Sequence, residues 1–143
     1  MEALEEAKNV FSIFHDGELS YFSGKLQQLM LKVDCQYLAE RIDPTFVCFY
    51  VELHHVEKLA FDPWGEPIGT MGVVRFGLQE VFAKELEILS ADVIGEVVSL
   101  QCNGGSLTFS CKGIKVFDQN RRALTSEALA DICRDYWDDW SKK

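Results

Sequence analysis

Residues 98–111 read VSLQCNGGSLTFSC, and this stretch decides the fold class. Val98, Leu100 and Cys102 fall on one parity, Asn103-Gly104-Gly105 supplies a turn, and Leu107, Phe109 and Cys111 return on one parity. Successive side chains of a strand point to opposite faces, so the stretch reads as an antiparallel hairpin with one apolar face. Beyond it, Gly113 shifts the register as a glycine bulge would, and Ile114 and Val116 continue the apolar face.

The same period of two extends toward the amino terminus. Leu86 and Ile88 are flanked by Glu85 and Glu87. Residues 46–54, FVCFYVELH, are apolar on both parities for six positions, which predicts a central strand covered on both faces, started by Asp43-Pro44. Leu59 and Phe61 form a further short strand that stops at Asp62-Pro63-Trp64-Gly65. Leu29, Leu31, Val33 and Cys35 alternate with Gln28, Met30, Lys32 and Asp34. With Tyr21-Phe22 before them and Ser23-Gly24-Lys25 as the turn, they predict a hairpin with one wet face. Four of the ten glycines lie between Gly65 and Gly77, which marks this segment as a long loop or flap.

Two segments carry helical spacing. Residues 2–14 place Leu4, Ala7, Phe11 and Phe14 on one side, although Val10 to Phe14 is rich in β-formers, and we read a short helix closed by the turn His15-Asp16-Gly17. The stronger helix starts at Thr125 or Ser126 as cap and carries Leu129, Ile132, Cys133, Tyr136, Trp137 and Trp140 on one stripe. It is expected to lie along the sheet. Its other face carries Asp131, Asp135, Asp138 and Asp139. The expected fold is therefore α+β: a mainly antiparallel β-sheet or partly open barrel with a C-terminal amphipathic helix packed on it and a short N-terminal helix. Residues 1–143 form a single domain in this reading.

Composition narrows the function classes. The chain of 143 residues has 23 acidic against 14 basic residues, a formal net charge of −9, with 48% hydrophobic residues. Such a balance fits a globular domain with its own core, compatible with a small homo-oligomer. Nucleic acid and anionic membranes are disfavoured as partners, since Arg121-Arg122 and Lys142-Lys143 are the only paired basic residues. The segment MEALEEAK carries glutamates where a secretory signal carries basic residues, and the longest strongly apolar run, Phe46 to Val51, is far shorter than a membrane span. Five cysteines at irregular spacing, with no CxxC, read as reduced thiols of a cytoplasmic protein packed as small apolar groups.

No motif for catalysis emerges. His15-Asp16 lacks the upstream histidine of metal-dependent phosphohydrolases and reads as a turn. His54-His55 would point to opposite faces of a strand and so would not share a metal. The glycines at 65, 69 and 72 are not followed by the Lys-Ser or Lys-Thr of a phosphate cradle, and no nucleophile signature stands out. Neither a metal nor a cofactor is expected, and the chain reads as a non-enzyme.

The layout FHDGEL (14–19), LMLKVDCQYLAERIDP (29–44), FDPW (61–64) and YWDDW (136–140) resembles small bacterial domains of uncharacterised role, some of which occur as immunity partners of toxins. That resemblance implies a small, cytosolic, acidic and non-enzymatic protein. Two functions remain open at this point. One is an interaction module, an immunity or inhibitor protein, presenting Asp131, Asp135, Asp138 and Asp139 to a basic protein partner. The other is a small-ligand binder with a pocket gated by residues 65–77 and lined at its mouth by Trp64 and Phe76.

Overall fold

In a computed structural model, residues 2–64 and 73–142 are described. The chain is an α+β fold: an open, antiparallel sheet of nine strands with an N-terminal and a C-terminal helix. Helix α1 spans Glu2–Ile13, followed by the hairpin of β1 (Glu18–Lys25) and β2 (Gln28–Asp34), the short helix α2 (Gln36–Ala39), β3 (Cys48–His54) and β4 (Glu57–Pro63). After the short helix α3 (Leu78–Val81) come β5 (Leu86–Ile94), β6 (Val97–Cys102), β7 (Gly105–Ser110), β8 (Gly113–Phe117), β9 (Ala123–Leu124) and helix α4 (Ser126–Ser141). The strand order is β4-β7-β6-β5-β1-β2-β3-β8-β9.

That order conceals a sharp bend. Strands β3 and β4 stand six places apart in the sheet, and so do β7 and β8. Laid flat, six strand spacings would cover about 29 Å. Yet only residues 55 and 56 separate β3 from β4, and only Cys111 and Lys112 separate β7 from β8. Three residue steps reach at most about 11 Å, so the sheet must fold over until its two halves meet at these links. The corner is stitched by Lys112 N–H donating to the His54 carbonyl at 2.8 Å and by the Ser110 hydroxyl donating to the Glu57 carbonyl at 3.3 Å. His55 and Lys58 take positive φ of 53° and 55° there, and the β4–β7 register slips between Glu57 and Ala60. Bends and bulges of this kind are how strands pass from one sheet layer to the next.

Helix α1 fills the hollow made by the bend, with its main strand contacts on β5, β6 and β8. Leu4, Ala7, Val10 and Phe11 are buried, as is Phe14 just beyond the helix. The Phe11 ring meets Phe109 edge-on at 5.9 Å, and Phe14 meets Phe49 at 5.0 Å, which ties the helix to both halves of the sheet. Along β3, Phe49, Val51 and Leu53 face this core, while on the other parity Cys48 and Glu52 are buried and Tyr50 and His54 half-buried, so the strand is covered fully on one face and in part on the other.

Several local expectations are corrected. Ser23-Gly24-Lys25 is strand, and the β1–β2 turn lies at Leu26-Gln27, one step further on. Gly113 does not continue a bulged strand; it opens β8 after the chain has crossed to the other half of the sheet. The Asn103-Gly104 turn is where the alternation puts it, with Gly104 at φ 87°. Gly105 has a steric reason: a Cβ there would lie 2.5 Å from the Asp62 carbonyl oxygen and 2.7 Å from the Phe61 ring. Of the stripe on α4, only Leu129 is fully buried, because α4 makes its main contacts with α1 and α2.

Phe11→Ala is expected to lower stability by ~3–5 kcal/mol, since it empties a ring-sized volume where α1 packs on Phe109 inside the bend. Urea unfolding of the variant, with an unchanged slope and a lowered midpoint, checks this; a midpoint equal to the parent's would mean that α1 is not the filling of the bend.

Candidate interaction surface

Helix α4 begins with a side-chain cap: Thr125 Oγ1 accepts from the Ala128 N–H at 3.0 Å. From there the helix runs past α1 and α2 and ends in an aromatic cluster. Tyr136 packs on Tyr37 of α2 at 4.7 Å and meets Trp137 edge-on at 5.1 Å, and Trp137 meets Trp140 edge-on at 5.8 Å. His15, in the turn after α1, stacks flat on Trp137 at 5.7 Å and 14°. The turn is held for this: the His15 ring Nδ1 lies 2.9 Å from the Ser12 carbonyl, and the Tyr37 hydroxyl donates to the His15 carbonyl at 2.8 Å. The cluster is a seam rather than a core, for Trp137 remains 37% and Trp140 59% exposed. Offset and edge-to-face ring pairs of this kind add about 0.5–1.5 kcal/mol each beyond the area they cover.

The four aspartates lie on the solvent side. At about 100° per residue, positions 131, 135, 138 and 139 fall within roughly a third of the helix circumference, opposite Trp140. All four are exposed. Asp131 pairs with Arg134 at 2.7 Å, one turn on. Arg41, two residues past α2, reaches across to the end of the face: its guanidinium contacts the Asp139 carboxylate, donates to the Asp135 carbonyl at 2.8 Å and lies 5.8 Å over the Tyr136 ring. A cation near a helix carboxyl terminus offsets the macrodipole, and here it also relieves the acids gathered at that unfavourable end. Nothing in the sequence flags Arg41 or Tyr37 as parts of this surface, because α2 is too short to show a periodicity.

The other sequence candidates are dispersed. Trp64 and Phe76 are both exposed, and a bridge pairing Phe61 with Arg75 places them on opposite sides of that pair. Most of the expected gating segment, residues 65–72, lies outside the described residues. His54 is bonded to Glu52, His55 sits at the sheet corner and His15 stacks on Trp137, and no group of three metal-ligating side chains converges among the described residues. No described helix is long and apolar enough to cross a membrane.

All five cysteines are free thiols, four of them buried. Burial pushes the Cys35 thiol, under the Tyr37 side of the cluster, up to about 12 and Cys102 up to about 11. A group whose proton is held more tightly in the folded chain stabilises that chain below its ordinary value and loses this contribution as pH rises. Stability is therefore expected to decline from about pH 9.0 toward pH 12 as the unfolded thiols ionise first. At mildly alkaline pH, iodoacetamide should leave Cys35 and Cys102 unlabelled until denaturant is added; mass spectrometry showing rapid labelling of either in the native protein would contradict their burial.

No family model matches this chain, and neither a curated protein nor a solved structure matches it.

Proposed function

We propose that this protein is a non-enzymatic interaction module that engages a basic protein partner through α4, in the manner of an immunity or inhibitor protein. The observation that carries the reading is the composition of the α4 end. One helix, fixed at both ends by its Thr125 cap and by Arg41, carries an exposed acidic face, Asp131, Asp135, Asp138 and Asp139, and, on the side turned away from it, two exposed tryptophans. Tryptophan, tyrosine and arginine are the residue types that concentrate binding energy at protein interfaces, and here they share one helix end with a charged surface. A chain of net charge −9 attracts a basic partner from a distance, and like-charged surfaces are repelled by the same field. Four buried free cysteines fit a reducing compartment such as the cytoplasm.

The reading has separable kinetic and energetic consequences. For a partner recovered by affinity capture and purified, association should slow as added salt shortens the Debye length from ~30 Å at 0.01 M to ~8 Å at 0.15 M. Neutralising Asp131, Asp135 and Asp138 together to asparagine should slow association further while leaving the melting temperature close to the parent's; Asp139 is kept because Arg41 holds it. Trp140→Ala should act on dissociation instead, weakening binding by about 2 kcal/mol. Stopped-flow rates that ignore both salt and the triple substitution would remove α4 as the docking surface.

A further inference from the structure

On the outer side of the sheet, away from α1, lies a cavity of about 460 Å³ bordered by Lys25, Gln28, Met30, Glu52 and Arg121. Its floor is a carboxylate in an unusual position. Glu52 stands in the middle of β3 and is only 8% exposed. An ionised group so placed is costly unless it is bonded. Gln28 Nε2 donates to one oxygen at 3.1 Å, and His54 Nε2 lies 2.6 Å from the other. A carboxylate offers about four acceptor positions, so roughly half of its capacity is left for whatever enters the cavity.

Opposite charge borders the same space without neutralising it. Among the described residues neither Arg121 nor Lys25 forms an ion pair with Glu52 or with any other acid, and Lys115, across from Glu52 in the β3–β8 register, forms none either. Arg121 is held in place from behind. The buried Asp118 carboxylate accepts from the Asn120 and Arg122 N–H groups at 2.9 and 3.0 Å and shapes the turn in which Arg121 takes a φ of 65°. Its guanidinium then lies 3.8 Å over the Tyr50 ring. This stacking uses the flat face of the guanidinium and leaves the donors at its edge open.

We propose that this cavity binds a small zwitterion, with its ammonium group on Glu52 and its carboxylate on Arg121. A simple anion would face Glu52, and a simple cation would face Arg121 and Lys25. A ligand carrying both signs on one short frame satisfies the floor and the rim together, and a charged carboxylate on an arginine edge is among the stronger hydrogen-bonded pairs. The cavity is at the small end of the range for small-molecule sites, which suits a free amino acid or an ω-amino acid. The site shares no residue with the α4 surface, so either assignment can fail without the other.

Titration of the full chain with glycine, γ-aminobutyrate and ε-aminocaproate, three zwitterions of increasing charge separation, tests the proposal by amide chemical shifts. At least one should give saturable shifts centred on Gln28, Glu52 and Arg121 at millimolar concentration, with acetate and methylammonium binding at least tenfold more weakly. Arg121→Asn, a residue that tolerates the left-handed backbone, should weaken binding at least tenfold at an unchanged melting temperature. Glu52→Gln should weaken it as much, and if that variant fails to fold the Arg121 variant decides alone. Absence of saturable shifts with all three zwitterions, equal binding of the single charges, or indifference to Arg121→Asn would each overturn the site.

Discussion

Two links of two residues each, one after His54 and one after Ser110, govern the architecture. Each joins strands that are six places apart in the sheet, and covalent geometry leaves no alternative to folding the sheet over on itself. Folding it over opens an apolar hollow, and the hollow must be filled. Helix α1 is the filling, which explains why a modest amphipathic segment holds some of the most deeply buried side chains in the molecule. Once α1 is seated, its flank supplies the surface on which α4 rests, and α4 in turn meets α2. The interaction surface is thus the outermost layer of a sequence of dependencies that starts with two tight crossings.

Much of this was legible in the sequence where a single period operates. The alternation from Val98 to Cys111 with Asn-Gly-Gly at its centre, the two-faced apolar run in 46–54 and the stripe from Leu129 all reflect local rules in which side-chain direction follows from position. The sheet order was not legible, because His55-Val56 and Cys111-Lys112 carry no residue that distinguishes a crossing between layers from an ordinary link. Gly24 illustrates the same limit: a glycine flanked by polar residues reads as a turn, yet it sits in β1 opposite Leu29 with φ 90°. Trp137 and Trp140 satisfy the helical stripe, but a stripe gives only the face; how much of that face is covered depends on α1, α2 and the His15 turn.

The polar groups withdrawn from solvent divide into two kinds. Asp118 is fully committed, since its backbone and carboxylate organise the turn between β8 and β9. Glu52 is only partly committed. In the sequence it is one polar residue after an apolar run, and its meaning depends on neighbours contributed by β2 and by the turn that Asp118 builds. Arg41 shows how one cation can serve several ends on an acidic chain: it covers an aromatic ring, joins two helices and tempers the crowding of aspartates where the helix dipole disfavours them.

The seating of α1 against β5, β6 and β8 also bears on how the molecule reaches its native state. The helix comes first in the chain, yet its strand partners lie some eighty to a hundred residues later, and the strands flanking the two layer crossings pair across about forty to seventy residues. Pairings so remote in sequence carry a large loop-closure cost before any contact repays it, and domains dominated by them fold slowly for their size. During synthesis the first four strands emerge without the partners that will cover them, with β4 waiting for β7 as its neighbour. The bend that makes the finished protein compact therefore gives the nascent chain an extended period with uncovered apolar strand, a period in which aggregation competes with folding.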